Sequence, residues 1–125
     1  MSLAQAVETV LRRYADFSGR AGRAEYWWWW AALVATFIAI GILTSFVGAA
    51  GYVVAALVTL ATFIPNLAVT VRRLHDTGRS GWWVLVVLVP AIGALILLVL
   101  LLLDGEHGSN RWGTPPYPEV SVEAV

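Results

Sequence analysis

The stretch that decides the fold is the 46-residue run between Glu25 and Arg72, YWWWWAALVATFIAIGILTSFVGAAGYVVAALVTLATFIPNLAVTV, which contains no Asp, Glu, Lys or Arg. A second run without these residues covers the 24 positions between Arg79 and Asp104. About 20 apolar residues in a helix span the hydrocarbon core of a bilayer. The two runs therefore predict an integral membrane protein.

The composition supports this prediction. Apolar residues make up 59% of the 125 residues and charged residues 13%, against roughly 45–50% and about 25% in soluble domains. This composition excludes a disordered chain. The formal net charge of zero argues against a nucleic-acid-binding protein, because phosphate binding requires a basic excess. The absence of cysteine excludes disulfides, thiolate nucleophiles and cysteine-based metal sites.

The two runs divide into three predicted membrane-spanning helices, at residues 27–47, 52–71 and 82–103. Gly48 to Gly51 predict a tight turn, and a connection this short makes the first two helices an antiparallel pair. Pro65 predicts a kink in the second span, and Pro90 a kink in the third. The alternative for the third run is a re-entrant hairpin, which needs protein around its broken backbone.

A short amphipathic helix is predicted at residues 3–16, before the first span. Ser2 and Gln5 have the spacing of a capping box, and apolar residues then recur at helical intervals. We expect this helix to lie on the membrane surface or to pack against the membrane helices. Residues 104–125 are predicted to be a polar tail, so the whole chain is interpreted as one all-α membrane domain.

Tryptophans mark the predicted ends of the spans. An indole ring favours the headgroup level of the membrane, where its surroundings are half apolar and half polar. An aromatic cage that binds a ligand is the alternative. The predicted interfacial anchors are Trp27, Trp28, Trp29, Trp30, Trp82 and Trp83.

The arginines are unevenly distributed, and the chain contains no lysine. Four arginines precede the first span and three lie between the second and third, whereas only Arg111 follows the third. With three crossings, the positive-inside rule places the arginine-rich segments in the cytoplasm and the tail outside. We therefore expect a multi-pass protein with a cytoplasmic N-terminus.

Three polar stretches flank the apolar runs. They read FSGRAGRAEYW at residues 17–27, RRLHDTGRSGWW at residues 72–83 and GSNRWG at residues 108–113. In this order they resemble the motifs of the bacterial domain of unknown function 805 family of small inner-membrane proteins, with Trp112 where Tyr or Phe is usual. The resemblance covers nearly the whole chain. It implies a location in the bacterial inner (plasma) membrane and a family without an assigned activity.

The polar stretches also supply the candidate site residues. In a helix continued past Val71, Arg72, His75 and Asp76 share a face, and Gly78 can end the helix in the left-handed conformation. One interpretation is structural: acidic residues pair with arginines to fix the loops, and other arginines contact anionic headgroups. The other is recognition of a phosphate-bearing ligand or an acidic partner by arginine. The candidate lipid- or partner-binding residues are Arg20, Arg23, Glu25, Arg72, Arg73, His75, Asp76, Arg79, Asn110 and Arg111.

The sequence does not indicate an enzyme. It has no pattern typical of a Ser/His/Asp triad, a P-loop or an HExxH zinc site, and no cofactor is expected. A zinc site formed by His75, Asp76, Glu106 and His107 needs both loops on one face of the membrane, which three crossings do not allow. A re-entrant third run would place both loops on one face and allow such a site. We expect a non-enzymatic structural or accessory protein. Its expected partners are anionic membrane lipid, a second copy of the chain or another membrane protein, and not nucleic acid.

A small oligomeric transporter or channel is the alternative function. The predicted spans contain no Asp, Glu, His or Arg, the residues that usually mark an ion pathway. Three helices are also too few to enclose a pore without oligomerisation. Under this alternative, Thr62 and Asn66 near Pro65 are the candidates for a polar lining.

Overall fold

The structure is a computed structural model that describes residues 1–116. Residues 117–125, the end of the predicted polar tail, lie outside the described residues. The elements are α1 (Leu3–Arg12), α2 (Arg23–Val47), α3 (Ala49–Asp76), a 3₁₀ helix (Gly81–Leu88) and α4 (Ile92–Leu102). Within residues 1–116 every regular element is helical, which confirms the all-α prediction. Helices α2 and α3 are long and apolar enough to cross a membrane, and α4 is a shorter apolar helix.

The chain forms two compact units. The first contains Met1–Asp16 and Ala24–Ala68, and the second contains Phe17–Arg23 and the chain from Val69 onward.

In the first unit, α1 begins with the predicted capping box. The Ser2 hydroxyl accepts from the Gln5 backbone N–H at 3.2 Å, and the Gln5 side chain accepts from the Ser2 N–H at 2.8 Å. The helix ends at Arg12, four residues before the predicted end, and Arg13 instead forms an ion pair with Asp16 at 2.9 Å. Of the two expected positions for α1, the structure shows packing against protein, because its apolar face is buried at Ala6 and Val10.

Helices α2 and α3 form the predicted antiparallel pair. The turn is shorter than predicted, since only Gly48 with φ +68° separates the helices and α3 already begins at Ala49. A Cβ on Gly51 would lie 2.6 Å from the Thr44 Cβ, so this glycine allows the two helices to approach closely. Away from the turn, the Trp29 indole N–H donates to the Asn66 side chain at 2.6 Å. Both helices are longer than the predicted spans 27–47 and 52–71.

In the second unit, α3 ends as the sequence predicts, and a side-chain cap begins the next element. Gly78 has φ +83°, and the Arg79 N–H donates to the Leu74 carbonyl at 2.9 Å, which closes the end of the helix. The Ser80 hydroxyl accepts from the Trp82 N–H at 3.3 Å and caps the 3₁₀ helix.

Residues 82–103 do not form the single kinked helix that the sequence predicts. The 3₁₀ helix stops at Leu88 and α4 starts at Ile92, and the two pack against each other as a helical hairpin, residues 81–102. The chain reverses because Pro90 has no N–H with which to continue a helix. At the tip, Ala91 has φ +62° and ψ −61°, and the Ile92 N–H donates to the Pro90 carbonyl at 2.7 Å, which is the pattern of a γ-turn.

Each arm of this hairpin is too short to cross a membrane. Eight residues of 3₁₀ helix and eleven of α-helix each extend over about 16 Å, roughly half of the hydrocarbon core. Both arms also meet the same end of α3. A Cβ on Gly81 would lie 2.6 Å from Cγ1 of Val71, and the Leu101 carbonyl accepts from Arg73 at 3.2 Å.

Candidate functional site

A buried carboxylate at the end of α3 holds two arginines. The Asp76 Oδ1 accepts from the Arg20 Nε at 2.9 Å, and its Oδ2 accepts from the Arg73 Nη1 at 2.6 Å. The side chains of all three residues have no exposed surface. We call Arg20, Arg73 and Asp76 the Asp76 cluster. The structural interpretation of Asp76 as the partner of arginines is confirmed, and the longest-range partner, Arg20, lies 56 residues away in sequence.

Arg20 ties the first polar stretch to the third. Its Nη1 donates to the Gly108 carbonyl at 2.7 Å and to the Gly113 carbonyl at 3.3 Å. Its Nη2 donates to the Glu106 carbonyl at 2.5 Å and to the Asp76 carbonyl at 3.3 Å. All three guanidinium nitrogens of Arg20 therefore bond to the protein itself.

Arg73 fixes the end of the hairpin. Its Nε and Nη2 donate to the carbonyls of Leu101 and Leu103, at the C-terminus of α4. These carbonyls have no partner within the helix, so the guanidinium satisfies them and places a positive charge at the negative end of the helix dipole. A backbone hydrogen bond also joins the loop after α4 to the end of α3: the Glu106 N–H donates to the Asp76 carbonyl at 2.7 Å.

The third polar stretch folds over the end of α3 through Asn110. Its side-chain amide donates to the His75 carbonyl and to the Glu106 carboxylate, both at 2.9 Å. The His75 Nδ1 lies 2.9 Å from the Gly19 carbonyl, which can only accept, so Nδ1 carries a proton. The Trp112 ring stacks on the His75 imidazole, with centroids 4.6 Å apart and planes at 6°.

These contacts bring residues from all three polar stretches into one site in the second unit: Gly19 and Arg20, then Arg73, His75 and Asp76, then Gly108, Asn110, Trp112 and Gly113. The site is built mainly from arginine donors and backbone carbonyl acceptors. These bonds hold the three polar stretches together at the end of α3.

The other candidate residues differ in exposure. Arg72 is buried, and its carbonyl accepts from the Ala21 N–H at 3.0 Å. Arg23 is exposed and forms an ion pair with Asp104 at 2.6 Å. Arg79 is half-buried and donates to the Thr77 carbonyl at 3.1 Å. Glu25 belongs to the first unit, where it is buried.

Arg111 is exposed, and its guanidinium carbon lies 4.9 Å from the centre of the Trp112 ring. This distance is typical of a cation–π contact. Arg111 follows the hairpin, and the hairpin returns to the end of α3, so Arg111 belongs to the same unit as Arg79. The prediction that the third span separates it from the other arginines depended on a continuous helix that is not formed.

The predicted tryptophan anchors are not equivalent. Trp82 is 78% exposed, Trp83 48% and Trp28 44%. Trp29 departs from the predicted belt, because it is buried and bonded to Asn66. Trp27 and Trp30 are half-buried. The side chains proposed for a polar transport lining are similarly engaged, since the Thr62 hydroxyl donates to the Val58 carbonyl at 2.7 Å.

The sequence did not single out Trp112 as a site residue or the carbonyls of Leu101 and Leu103 as acceptors. The only sequence signal for Trp112 is its place in the third motif. Glu106 was considered only as a zinc ligand, but its side chain accepts from Asn110 and its backbone bonds to Asp76. Among residues 1–116, no group of three His, Asp or Glu side chains has the arrangement of a metal site.

Comparison with known proteins identifies relatives over most of the chain. The model of the family described as "Protein of unknown function (DUF805)" matches residues 14–114. The chain is 44% identical over 108 residues to the inner membrane protein YhaI of Escherichia coli, covering 86% of this chain and 92% of YhaI. It is 40% identical over 111 residues to the E. coli inner membrane protein YhaH, with the same coverage.

A more distant relative is the E. coli uncharacterized protein YiiR, 30% identical over 125 residues that cover 78% of this chain and 84% of YiiR. No solved structure matches the chain significantly. The family match includes all three polar stretches and the hairpin between the second and the third. It confirms the resemblance seen in the motifs, and the chain belongs to the DUF805 family of small inner membrane proteins.

Proposed function

We propose that this protein is a non-enzymatic accessory protein of the inner membrane that engages anionic lipid through two accessible arginines of the second unit, Arg79 and Arg111. The observation that carries the proposal is that the arginines of the second unit differ in burial and in bonding. Arg20 and Arg73 are buried and bonded to protein oxygens. Arg79 and Arg111 are accessible, and neither forms an ion pair with a carboxylate in the described part of the chain.

The geometry supports a re-entrant topology for the hairpin. Its two arms are short, and both meet the end of α3 that carries Arg73 and Asp76. In this topology α2 and α3 cross the membrane, whereas residues 81–102 enter and leave on one side. The positive-inside rule then places the N-terminus and all eight arginines in the cytoplasm. The segment after α4 lies on the cytoplasmic side as well, and not outside as three crossings require.

A cytoplasmic position for these arginines favours anionic lipid as the partner. Each Lys or Arg near the surface of an anionic leaflet gains about 1 kcal/mol. Arg79 lies three residues before the exposed pair Trp82 and Trp83, and such residues are typical of the headgroup level. An acidic segment of another membrane protein is also negatively charged. A comparison of anionic with zwitterionic lipid separates the two partners.

The test compares the binding of phosphatidylglycerol and phosphatidylcholine to the purified full-length protein in detergent, measured as bound lipid by native mass spectrometry. We expect preferential binding of phosphatidylglycerol. The double variant Arg79→Gln/Arg111→Gln should bind it about thirtyfold more weakly, from about 1 kcal/mol for each charge. A matched control is Arg12→Gln/Arg13→Gln, which removes the same charge from arginines already paired with Glu8 and Asp16.

The control variant should bind phosphatidylglycerol nearly as well as the wild type. Equal binding of the two lipids by the wild type would overturn the proposal and leave an acidic protein as the partner to seek. Unchanged binding by the Arg79/Arg111 double variant would show that these arginines are not the lipid-binding residues.

A further inference from the structure

An open groove of about 220 Å³ lies at the start of the 3₁₀ helix, lined by Ser80, Trp82, Trp83 and Val86. A 3₁₀ helix has three residues per turn, so side chains three positions apart are aligned along it. Ser80, Trp83 and Val86 have this spacing. The groove therefore changes along its length from a hydroxyl group at the loop to an aromatic ring and then to an aliphatic side chain within the hairpin.

Unused hydrogen-bond donors are present on Ser80, which lines the groove, and on its sequence neighbour Arg79. Arg79 immediately precedes Ser80, and its guanidinium makes one hydrogen bond in the described chain, from Nη1 to the Thr77 carbonyl. Guanidinium has five N–H donors in a planar fork that suits phosphate. The Ser80 oxygen accepts from the Trp82 N–H, which leaves the hydroxyl proton free to donate.

The 3₁₀ helix that carries the groove also has a large exposed apolar surface. Trp82 and Leu88 are more than 70% exposed, and Leu85 is 50% exposed. In an inner membrane protein such a surface is covered by acyl chains. The groove is also smaller than the roughly 300–1,000 Å³ of sites that enclose a drug-sized ligand. Its size and openness suit part of one acyl chain better than a soluble molecule.

We propose that this groove, which we call the Trp83 groove, binds one phospholipid with an anionic headgroup. The phosphate interacts with Arg79 and Ser80, and one acyl chain lies along Trp83 and Val86. The charge of Arg79 selects anionic lipid, while the aromatic and aliphatic side chains hold the chain of any phospholipid. The proposal rests on the proposed function and assigns it to one place, at the mouth of the hairpin.

Two single variants separate the contribution of the lipid headgroup from that of the acyl chain. The measurement is the strength of each successive lipid-binding step of the full-length protein, by native mass spectrometry. Arg79→Gln should weaken the tightest phosphatidylglycerol step about fivefold and weaken phosphatidylcholine binding less, because the choline ammonium offsets the charge of the phosphate in that lipid. Trp83→Ala should weaken the binding of both lipids. Trp28→Ala is the matched control, because Trp28 is exposed to a similar degree but lies on α2.

In the described chain neither Arg79 nor Trp83 forms a hydrogen bond or an ion pair with the Asp76 cluster, so circular dichroism should show wild-type helix content for both variants. If Arg79→Gln binds phosphatidylglycerol as the wild type does, while the Arg79/Arg111 double variant does not, the groove is not the site although the proposed function stands. If the double variant also binds normally, both proposals fail. If Trp28→Ala weakens lipid binding as much as Trp83→Ala, the contact with the acyl chain is not specific to the groove and the proposal is overturned.

Discussion

Replacing Asp76 by asparagine should lower the free energy of unfolding by about 3–5 kcal/mol, the usual cost of removing one partner from a buried ion pair. The asparagine side chain has nearly the same size as aspartate but carries no charge. Arg20 and Arg73 would then remain buried with their positive charges uncompensated. Because Arg20 also bonds to the carbonyls of Glu106 and Gly108, the loop after the hairpin should loosen together with the end of α3.

The measurement is the loss of helical circular dichroism on heating, or on titration with a denaturing detergent, for full-length protein in a mild detergent. Asp104→Asn provides a matched control, because it removes a carboxylate from an ion pair with Arg23 that is largely exposed. Exposed pairs contribute about 0–1 kcal/mol. An Asp76→Asn variant as stable as Asp104→Asn would show that the Asp76 cluster does not hold the second unit together.

The second large effect is expected for Gly93→Ala, at the tip of the hairpin. A Cβ at this position would overlap the Val86 carbonyl oxygen, lie 2.8 Å from the carbonyl carbon and lie 3.2 Å from the Val89 Cβ. The neighbouring atoms are mainly backbone, which cannot rotate away as a side chain can. Overpacking of this kind costs about 1–3 kcal/mol, and the two arms have to move apart to relieve it.

Gly41→Ala is the control for this variant. Gly41 lies in α2 with no atom within 4 Å of a Cβ built on it, and alanine is the better helix former by about 1 kcal/mol. The same unfolding measurement should therefore show Gly41→Ala at least as stable as the wild type and Gly93→Ala clearly less stable. Equal stability of the two variants would mean that the arms of the hairpin do not pack as closely as the structure shows.

Local signals in the sequence were read correctly where the interactions are local. The capping box of Ser2 and Gln5 and the left-handed Gly78 each involve residues a few positions apart. The pair of long apolar helices was also predictable, because run length and a glycine turn are sufficient for that prediction.

The hairpin was harder to predict because its length and composition fit two structures. The 22 residues from Trp82 to Leu103 suffice for one crossing, and a proline alone commonly kinks a membrane helix without reversing it. What distinguishes the hairpin is the combination of Pro90 with Gly93, whose missing side chain permits close packing against Val86. That contact depends on tertiary structure and cannot be read from periodicity.

The contacts of the site were likewise predictable only where they are local in sequence. Pairing of Asp76 with an arginine in its own helix was predictable from helical spacing, and Arg73 lies three residues before it. The bonds from Arg20 to Asp76 and to Gly108 span 56 and 88 positions and exist only because the hairpin returns the chain to α3. Because the third apolar run was predicted as one continuous helix, residues that belong to one site were predicted to lie apart.

The return of the hairpin is tested most directly by single cysteines in this cysteine-free chain, labelled with a membrane-impermeant thiol reagent in sealed inverted and right-side-out vesicles. Ser80→Cys and Ser109→Cys flank the hairpin, and Ala50→Cys lies at the exposed start of α3, next to the turn at Gly48. We predict that the cysteines at positions 80 and 109 label from the same side, and that the one at position 50 labels from the other. Labelling of positions 80 and 109 from opposite sides would show that residues 81–102 cross the membrane, and the three polar stretches then could not form one site.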